Sequence, residues 1–324
     1  QQANGTFNDI FAVDGLLSQQ PVLAAVAWWL AVIILGWLAF PLTYVVLRGL
    51  PDRGYALARI LSLLLVSYIT WLVASLGWLA HSRTTIVLAI VVVGLASLAI
   101  FWRRRQEIMG FVRQNWGLLV TLEIIGILLF VLQIGIRLGN PDVWDVIWGG
   151  EKPMDLSYFT AVLKSTTFPP YDPWYAGGYI NYYYYGFVYV GSLTKLLGVL
   201  PATAYNLILP MLYSFTGAGV FSIAYNLVIA GDRTQTPNRD DKAQATETTT
   251  LAGKLPKRAV TAGLIATLLA MVLGNLAQVG VVANAWYQTG DTGLGEIPAV
   301  GTLMRTVDGA VKVLSGQPSS VYPS

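Results

Sequence analysis

Long apolar runs alternate with short polar segments along the whole chain. The first run, residues 22–47, contains no charged residue, and about 20 apolar residues are enough for a helix to cross a bilayer. The same pattern recurs often enough to predict about seven spans. These are residues 22–47, 56–79, 84–102, 116–136, 182–200, 202–229 and 259–283. The pattern therefore predicts an all-α, polytopic transmembrane protein.

The polar segments divide the chain into regions. Residues 1–136 hold a short lead and four spans, and residues 137–181 form a long loop that is expected to be structured and to carry the site. Two further spans occupy 182–230. A polar, flexible linker is predicted over 231–258, followed by the seventh span at 259–283. Residues 284–324 form an irregular, glycine-rich tail, with the option of continuing in a longer chain.

Composition supports the membrane interpretation and excludes several kinds of site. Charged residues make up 11% of the chain, against about 25% in an average soluble domain. The chain has no Cys and one His, which excludes a disulfide framework and a His-based zinc or haem site. The net charge of +3 is spread over short clusters, so neither a nucleic acid partner nor a nucleotide cofactor is indicated. A divalent cation held by oxygen ligands, Mg²⁺ or Mn²⁺, stays open.

Basic residues predict an orientation for the first half of the chain. The run 103–105 is three consecutive arginines after a clean span, which is typical of a cytoplasmic loop. The loop at residues 137–181 is then extracytoplasmic, in a protein of the cell membrane. The linker carries six Lys or Arg against four acids, which favours the opposite side, so the orientation after residue 230 stays open.

A short amphipathic helix is predicted within the loop, over residues 153–165. Pro153 suits the first helical position because its missing N–H needs no partner there. Met154, Tyr158 and Val162 share one face, together with Ala161, and this face is expected to lie on the membrane. The proline-rich stretch 168–174 excludes regular helix, and Gly177-Gly178 predicts a turn.

Two carboxylates are the candidate catalytic residues. Asp155 lies in the first turn of this helix, and Glu151 precedes it. A carboxylate near a bilayer surface is able to act as a base toward a hydroxyl or to hold a divalent ion. The alternative for Asp155 is structural, since an acid in a first turn stabilises a helix by about 0.3–1 kcal/mol. Glu151 beside Lys152 is also typical of a solvated charge pair.

Basic and aromatic residues around these acids are the candidate substrate-binding groups. Lys152 and Arg137 suit an anionic head group, with snorkelling at a membrane edge as the alternative. Tyr182, Tyr183 and Tyr184 suit stacking on a sugar ring, with an aromatic interfacial belt as the alternative. Because consecutive residues point around all sides of a helix, the tyrosines cannot all face lipid.

Several stretches resemble the YYY family of multi-pass membrane proteins, whose activity is not established. The matching stretches are Pro141-Asp142, residues 149–155, Phe168-Pro169-Pro170, Asp172-Pro173-Trp174, residues 176–178, residues 180–184 and residues 204–207. More distantly, the layout resembles the GT-C glycosyltransferases. In those enzymes an acidic residue of the first extracytoplasmic loop is catalytic, and this resemblance places Asp155 or Glu151 there. It also implies that Trp174 and the three tyrosines line the sugar site. Asp172 and Asn181 of the same region are further candidate substrate-binding residues. The acidic-His segment in which YYY proteins usually continue is not found in this chain.

The expected function is that of a membrane glycosyltransferase whose donor is a polyprenyl-phosphate sugar. Membrane lipids are expected partners of such an enzyme, and equally of the alternative that follows. The alternative is a non-catalytic accessory subunit that packs against other membrane proteins. A transporter is less favoured, because the spans carry little buried charge. Glu123 is the exception, and the sequence shows no evident partner for it.

Overall fold

Most of the residues that the structure describes are helical. A computed structural model describes residues 7, 10–139, 142, 150–234, 256–274, 276–291 and 298–314. Its helices are α1 (Leu16–Gln19), α2 (Pro21–Val46), α3 (Ala58–Ser75), α4 (Arg83–Gly139), α5 (Lys152–Lys164), α6 (Tyr184–Leu197), α7 (Pro201–Thr234), α8 (Lys257–Leu268), α9 (Leu276–Thr289) and α10 (Pro298–Leu314). Most of the predicted linker, residues 235–255, lies outside the described residues.

Four of these helices, α2, α3, α4 and α7, are long and apolar enough to cross a membrane. The all-helical, multi-pass class predicted from the sequence is therefore confirmed. The number of seven spans is not. Helix α6 has 14 residues and a length of about 21 Å, short of the roughly 30 Å of a bilayer core. The predicted seventh span is divided between α8, a π-helical turn at Leu269–Leu273 and α9.

Helix α4 is 57 residues long but is not a straight rod. Its backbone leaves helical geometry at Arg104 and Asn115. Gly94 packs against Leu38 of α2, and Gly126 packs against Trp29 of the same helix. Leu38 and Trp29 are about 14 Å apart along α2, whereas Gly94 and Gly126 would be about 48 Å apart on a straight helix. The two apolar halves of α4 therefore fold back on each other across the Arg104–Asn115 segment.

The core lies around α2. Trp28 and Phe159 are completely buried there, and Trp29 stacks on Phe130 of α4 at 4.7 Å between ring centroids. Residues of α6 and α7 complete the same cluster. Because aromatic rings bury the largest apolar areas, this cluster fixes α2 against the C-terminal half of α4. The site described below lies at one end of that contact.

Helix α5 begins one residue earlier than predicted and buries a different face. Its buried residues are Pro153, Phe159, Val162 and Leu163. They pack into the core with α6, where Gly191 leaves room for Leu163. The apolar face predicted from the sequence, with Met154 and Tyr158, was expected to lie on the membrane. It is rotated by about one residue from the face that the structure buries. The reason is tertiary packing, since Phe159 and Leu163 fit among the core residues around α2, where close van der Waals contacts stabilise them.

One ion pair lies inside the helical bundle. Arg59 is 8% exposed, and its guanidinium donates to Glu123 of α4, which also accepts from the Tyr55 hydroxyl at 2.6 Å. Arg59 also lies over the Trp29 ring at 5.4 Å. Glu123, for which the sequence showed no partner, is therefore paired. This pairing was missed because 64 residues separate the two charges.

Residues Thr267–Ser324 form a second compact unit. Within it, α9 packs on α10, and the backbones come so close that a Cβ on Gly309 would lie 1.6 Å from the Trp286 carbonyl oxygen. The predicted irregular tail, 284–324, is wrong over α10. Val307, Val311 and Leu303 recur there at helical spacing, a period that the high glycine content of the segment obscured.

Candidate functional site

Asp155 lies on one side of α5, directed toward the start of α7. The helix places it in the first turn, after Pro153, and its Oδ2 accepts a hydrogen bond of 3.3 Å from the Tyr205 hydroxyl. The residue is partly buried. Burial raises the pKa of Asp155 above its ordinary value, the Tyr205 hydrogen bond opposes this rise, and the nearby Glu151 carboxylate adds to it. Asp155 is thus a stronger base than an exposed aspartate.

Arg137 lies next to this pair, at the C-terminal end of α4. Its Nε donates to Asn206 Oδ1 at 2.9 Å, and a second guanidinium nitrogen donates to the same oxygen. The guanidinium is near enough to act electrostatically on the Tyr205 hydroxyl. Because Asn206 is neutral, this contact orients the guanidinium and leaves its positive charge uncompensated by Asn206. Asp155, Tyr205, Asn206 and Arg137 are called the α7 cluster below.

An apolar groove of about 580 Å³ ends at Arg137 and Asn206. Its walls come from α2, the second half of α4 and the first turns of α7. The groove is lined by Pro21, Val22, Ala25, Val26, Trp29, Leu30, Ile127, Phe130, Val131, Ile134, Arg137, Leu138, Thr203, Asn206 and Leu207. Of these residues, Arg137 is the one with a charge. A long apolar groove with a cation at its end matches an amphiphile with an anionic head.

A second, more polar cleft lies on the opposite side of α5. It has a volume of about 390 Å³ and is lined in part by Ser157, Thr160, Lys164 and Asp172. At 100° per residue, the α5 members of this set are about 140–200° around the helix from Asp155. The structure therefore separates two predicted site residues, since Asp172 and Asp155 lie on different sides of α5.

Glu151 and Lys152 lie at the start of α5 and are less enclosed than Asp155. Glu151 is exposed and precedes the helix, and Lys152 Nζ donates to the backbone carbonyl of Asp142 at 3.3 Å. Both residues precede Asp155 by three or four positions in the sequence. The Glu151 carboxylate is close enough to Asp155 to raise its pKa. Their predicted roles stay predictions.

The predicted aromatic residues divide into a packed set and an exposed set. Tyr184 stacks on Phe168 at 5.8 Å and accepts a hydrogen bond of 2.9 Å from Trp71 Nε1 of α3. By contrast, Trp174, Tyr182 and Tyr183 are 63–71% exposed. Asn181 is exposed as well. No contact joins this exposed set to Asp155 within the part of the chain that the structure describes.

Two members of the α7 cluster were not among the predicted site residues. Tyr205 and Asn206 follow the helix start at Pro201 by one turn, and this position brings them to Asp155 and Arg137. A signal was present, because residues 204–207 are among the stretches that resemble YYY proteins. Their partners are 50 and 69 residues away in sequence, and no local pattern reports such a distance.

The acidic groups of the site bear on whether it is able to hold a metal ion. Among the described residues, no group of three or more His, Asp or Glu side chains is arranged to hold a metal ion. Asp155 is the acid of the α7 cluster, and the Glu151 carboxylate is near enough to act on it electrostatically. Whether Mg²⁺ or Mn²⁺ takes part stays a prediction from the sequence.

Comparison with known proteins gives a family. Residues 65–295, more than two thirds of the 324-residue chain, match the model of a family described as uncharacterized membrane protein (DUF2298). No curated protein and no solved structure matches the chain. The match supports a membrane protein family. The finer resemblances, to YYY proteins and to GT-C enzymes, stay predictions.

Proposed function

This chain belongs to the DUF2298 family of uncharacterized membrane proteins. From the geometry of its candidate site, we propose that it is a membrane glycosyltransferase of GT-C-like layout. Its donor is a sugar linked to a lipid phosphate. The observation that carries the proposal is the apolar groove that ends at Arg137, beside the hydrogen bond between Tyr205 and Asp155. The segment 137–181, which contains α5, faces the extracytoplasmic side in this proposal.

The groove suits the lipid part of the donor. Its wall is apolar except at the end formed by Arg137 and Asn206, so a prenyl chain is able to lie along it with the phosphate at that end. A guanidinium binds phosphate oxygens through parallel N–H donors. Asn206 holds Arg137 in place, and so the cation need not reorganise when the phosphate arrives. Lys152, tied to the Asp142 carbonyl, is the less enclosed of the two cations.

Asp155 supplies the base for the transfer step. Its carboxylate takes the proton of an acceptor hydroxyl, and the freed oxygen forms a bond to the anomeric carbon of the donor sugar. The bond between that carbon and the phosphate oxygen breaks, and its electron pair stays on the departing lipid phosphate. Arg137 offsets the charge of this leaving group. The proton then resides on Asp155, whose raised pKa favours accepting it.

The test is a transfer assay with purified protein in liposomes. A polyprenyl-phosphate-linked hexose with tritium in the sugar is the donor, and a detergent extract of membranes from the source cells supplies acceptors. We expect label in a sugar-containing product with wild type and a loss of at least about 100-fold in Asp155→Asn, because removal of a general base costs about 10²–10⁴ in rate. Asp172→Asn is the matched control on the other side of α5.

The alternative function is that of a non-catalytic accessory subunit. It predicts no transfer by wild type and no difference between the two Asp variants. If Asp172→Asn abolishes transfer and Asp155→Asn leaves it unchanged, the reaction belongs to the polar cleft, and the assignment of Asp155 is wrong.

A further inference from the structure

The loop between α5 and α6 presents a cluster of exposed aromatic rings. Within residues 171–183, called the aromatic loop here, Trp174, Tyr175, Tyr182 and Tyr183 are each 63–71% exposed. Tyr171 and Tyr179 stack on each other at 4.8 Å and pair their strands through an antiparallel bridge. Four exposed aromatic rings on one loop present a large apolar surface to water, which is unfavourable. A partner surface is therefore expected to cover them.

Several backbone N–H groups of the aromatic loop are hydrogen-bonded within the loop or to its flank. Asp172 N donates to the Gly178 carbonyl at 3.1 Å, and Ile180 N donates to the Pro170 carbonyl at 2.9 Å. Asp172 is the one charged residue between positions 171 and 186, and its Oδ1 accepts from the backbone nitrogens of Trp174 and Tyr175. The single charge of the loop is therefore held by backbone donors of the loop itself, and the side chains that it exposes most are aromatic.

The same surface continues onto the exposed side of a membrane-crossing helix. Trp71 of α3 contacts Tyr184, directly after the aromatic loop, and lies 5.8 Å from Tyr68 on the exposed apolar side of α3. Trp71 is four residues before the end of α3 at Ser75, or about 6 Å below it. The aromatic loop is thus near the level at which α3 leaves the bilayer core.

From these observations we infer that the aromatic loop is inserted into the interfacial layer of the membrane, with Trp174 and Tyr175 at its tip among the lipid head groups. Trp and Tyr are the residues enriched at this depth, because each has an apolar ring and a polar atom. The inference does not depend on the proposed transferase reaction. It gives Trp174, Tyr182 and Tyr183 a partner other than the sugar expected from the sequence.

A carbohydrate partner fits the loop less well. Sugar sites combine an aromatic ring with several side chains that hydrogen-bond to hydroxyl groups. Here the hydroxyls of Tyr171 and Tyr179 are 3.5 Å apart and contact each other, and the Asp172 carboxyl is turned to the backbone. The hydrogen-bonding groups of this region line the polar cleft instead.

The absence of Cys from the chain allows a direct test. Ala176→Cys places one thiol at the exposed tip while keeping every aromatic ring, and a nitroxide attached there reports its depth in liposomes of phosphatidylcholine and phosphatidylglycerol. The measured quantity is collision with lipid-soluble oxygen relative to collision with a water-soluble nickel chelate. Lys164→Cys, which is exposed at the polar cleft, is the matched control.

We expect the oxygen-to-nickel ratio at position 176 to exceed that of the control at least threefold. Adding Trp174→Ser and Tyr175→Ser to Ala176→Cys should bring the ratio back toward the control. Equal ratios at positions 176 and 164 in the unmodified loop would overturn the inference. It is also overturned if soluble oligosaccharide shields position 176 from nickel while lipid does not, since the partner would then be carbohydrate.

Discussion

Arg59 and Glu123 show how a single buried residue depends on its partner in this bundle. The pair is 9% and 22% exposed by side chain, and Tyr55 and the Trp29 ring surround it. Burial makes removal of one partner far more costly than removal of both, because the remaining charge has lost its water and its counter-charge.

We therefore predict that Glu123→Gln lowers the melting temperature of the purified protein strongly, by an amount equivalent to about 3–5 kcal/mol. The double variant Arg59→Met/Glu123→Leu should recover most of the loss. Glu107→Gln is the control in the same helix, because its pair with Arg104 is 50–56% exposed and such pairs contribute less than about 1 kcal/mol. Equal effects of Glu123→Gln and Glu107→Gln would show that the first pair is solvated.

His81 is a second residue whose chemistry depends on its neighbours. It is 1% exposed, and its Nδ1 lies 3.0 Å from Nζ of Lys195, which also donates to the His81 carbonyl oxygen at 2.6 Å. Burial first, and then the Lys195 charge, lower the pKa of His81 well below its ordinary value. The folded protein therefore holds this imidazole neutral at pH 7.

The sign of the resulting pH effect follows from this shift. Below about pH 6.5 the unfolded chain binds a proton on His81 that the folded chain does not bind. Stability is thus present above pH 6.5 and is lost as the pH falls toward the lower pKa of the folded state, by at most about 1.4 kcal/mol per pH unit. We predict that His81→Gln reduces the fall in melting temperature between pH 7.5 and 5.5. An unchanged fall in the variant would contradict the buried neutral state.

The helices pack closely where glycine removes a side chain. At Gly36 of α2, an added Cβ would lie 2.6 Å from Arg59 Cγ. Since Arg59 is fixed by Glu123, it has little room to move away. At Gly135 of α4, nothing lies within 4 Å of an added Cβ.

The contrast between these two glycines gives a matched pair of substitutions. Gly36→Ala is expected to destabilise the protein by about 1–3 kcal/mol through overpacking. Gly135→Ala should be neutral or slightly stabilising, because Ala is the better helix former. Melting temperatures of the two variants decide the matter. If they change alike, α2 and α3 do not pack as described.

The fold-back of α4 determines how its two apolar halves relate to the membrane. Leu95 and Leu128 are 61% and 63% exposed, one in each half, and on a straight helix they would be about 50 Å apart. We predict that nitroxides attached to cysteines at these two positions give an electron–electron distance below about 35 Å. A distance near 50 Å would contradict the fold-back and leave α4 as one continuous helix.

Sequence reasoning was most successful for features set by local pattern. The apolar runs identified the membrane-crossing helices α2, α3 and α7, and Pro153 located the start of α5 to within one residue. It failed where distant residues decide the outcome. The buried face of α5 is chosen by the core, and the partners of Glu123 and Asp155 lie 64 and 50 residues away. The helix at Pro298–Leu314 was missed because glycine content outweighed its periodicity.

Across the whole molecule, the separation of Asp155 from Asp172 by the width of α5 is the main structural constraint on function. The carboxylate at the α7 cluster shares its surroundings with Arg137 and the apolar groove, whereas the other acid faces the polar cleft. A reaction that uses a lipid-linked donor belongs to the first of these two places. In the proposed function, Arg137 therefore holds a lipid phosphate at the end of the groove.

Native mass spectrometry of the protein with added polyprenyl monophosphate is the sharpest test of this role of Arg137. We predict that wild type retains one polyprenyl phosphate, that Arg137→Met lowers retention at least tenfold, and that polyprenol without phosphate is bound weakly by both. Arg113→Met, which removes an exposed cation elsewhere in α4, should bind as wild type does. Equal retention by wild type and by an Arg137→Met variant of unchanged melting temperature would contradict the account.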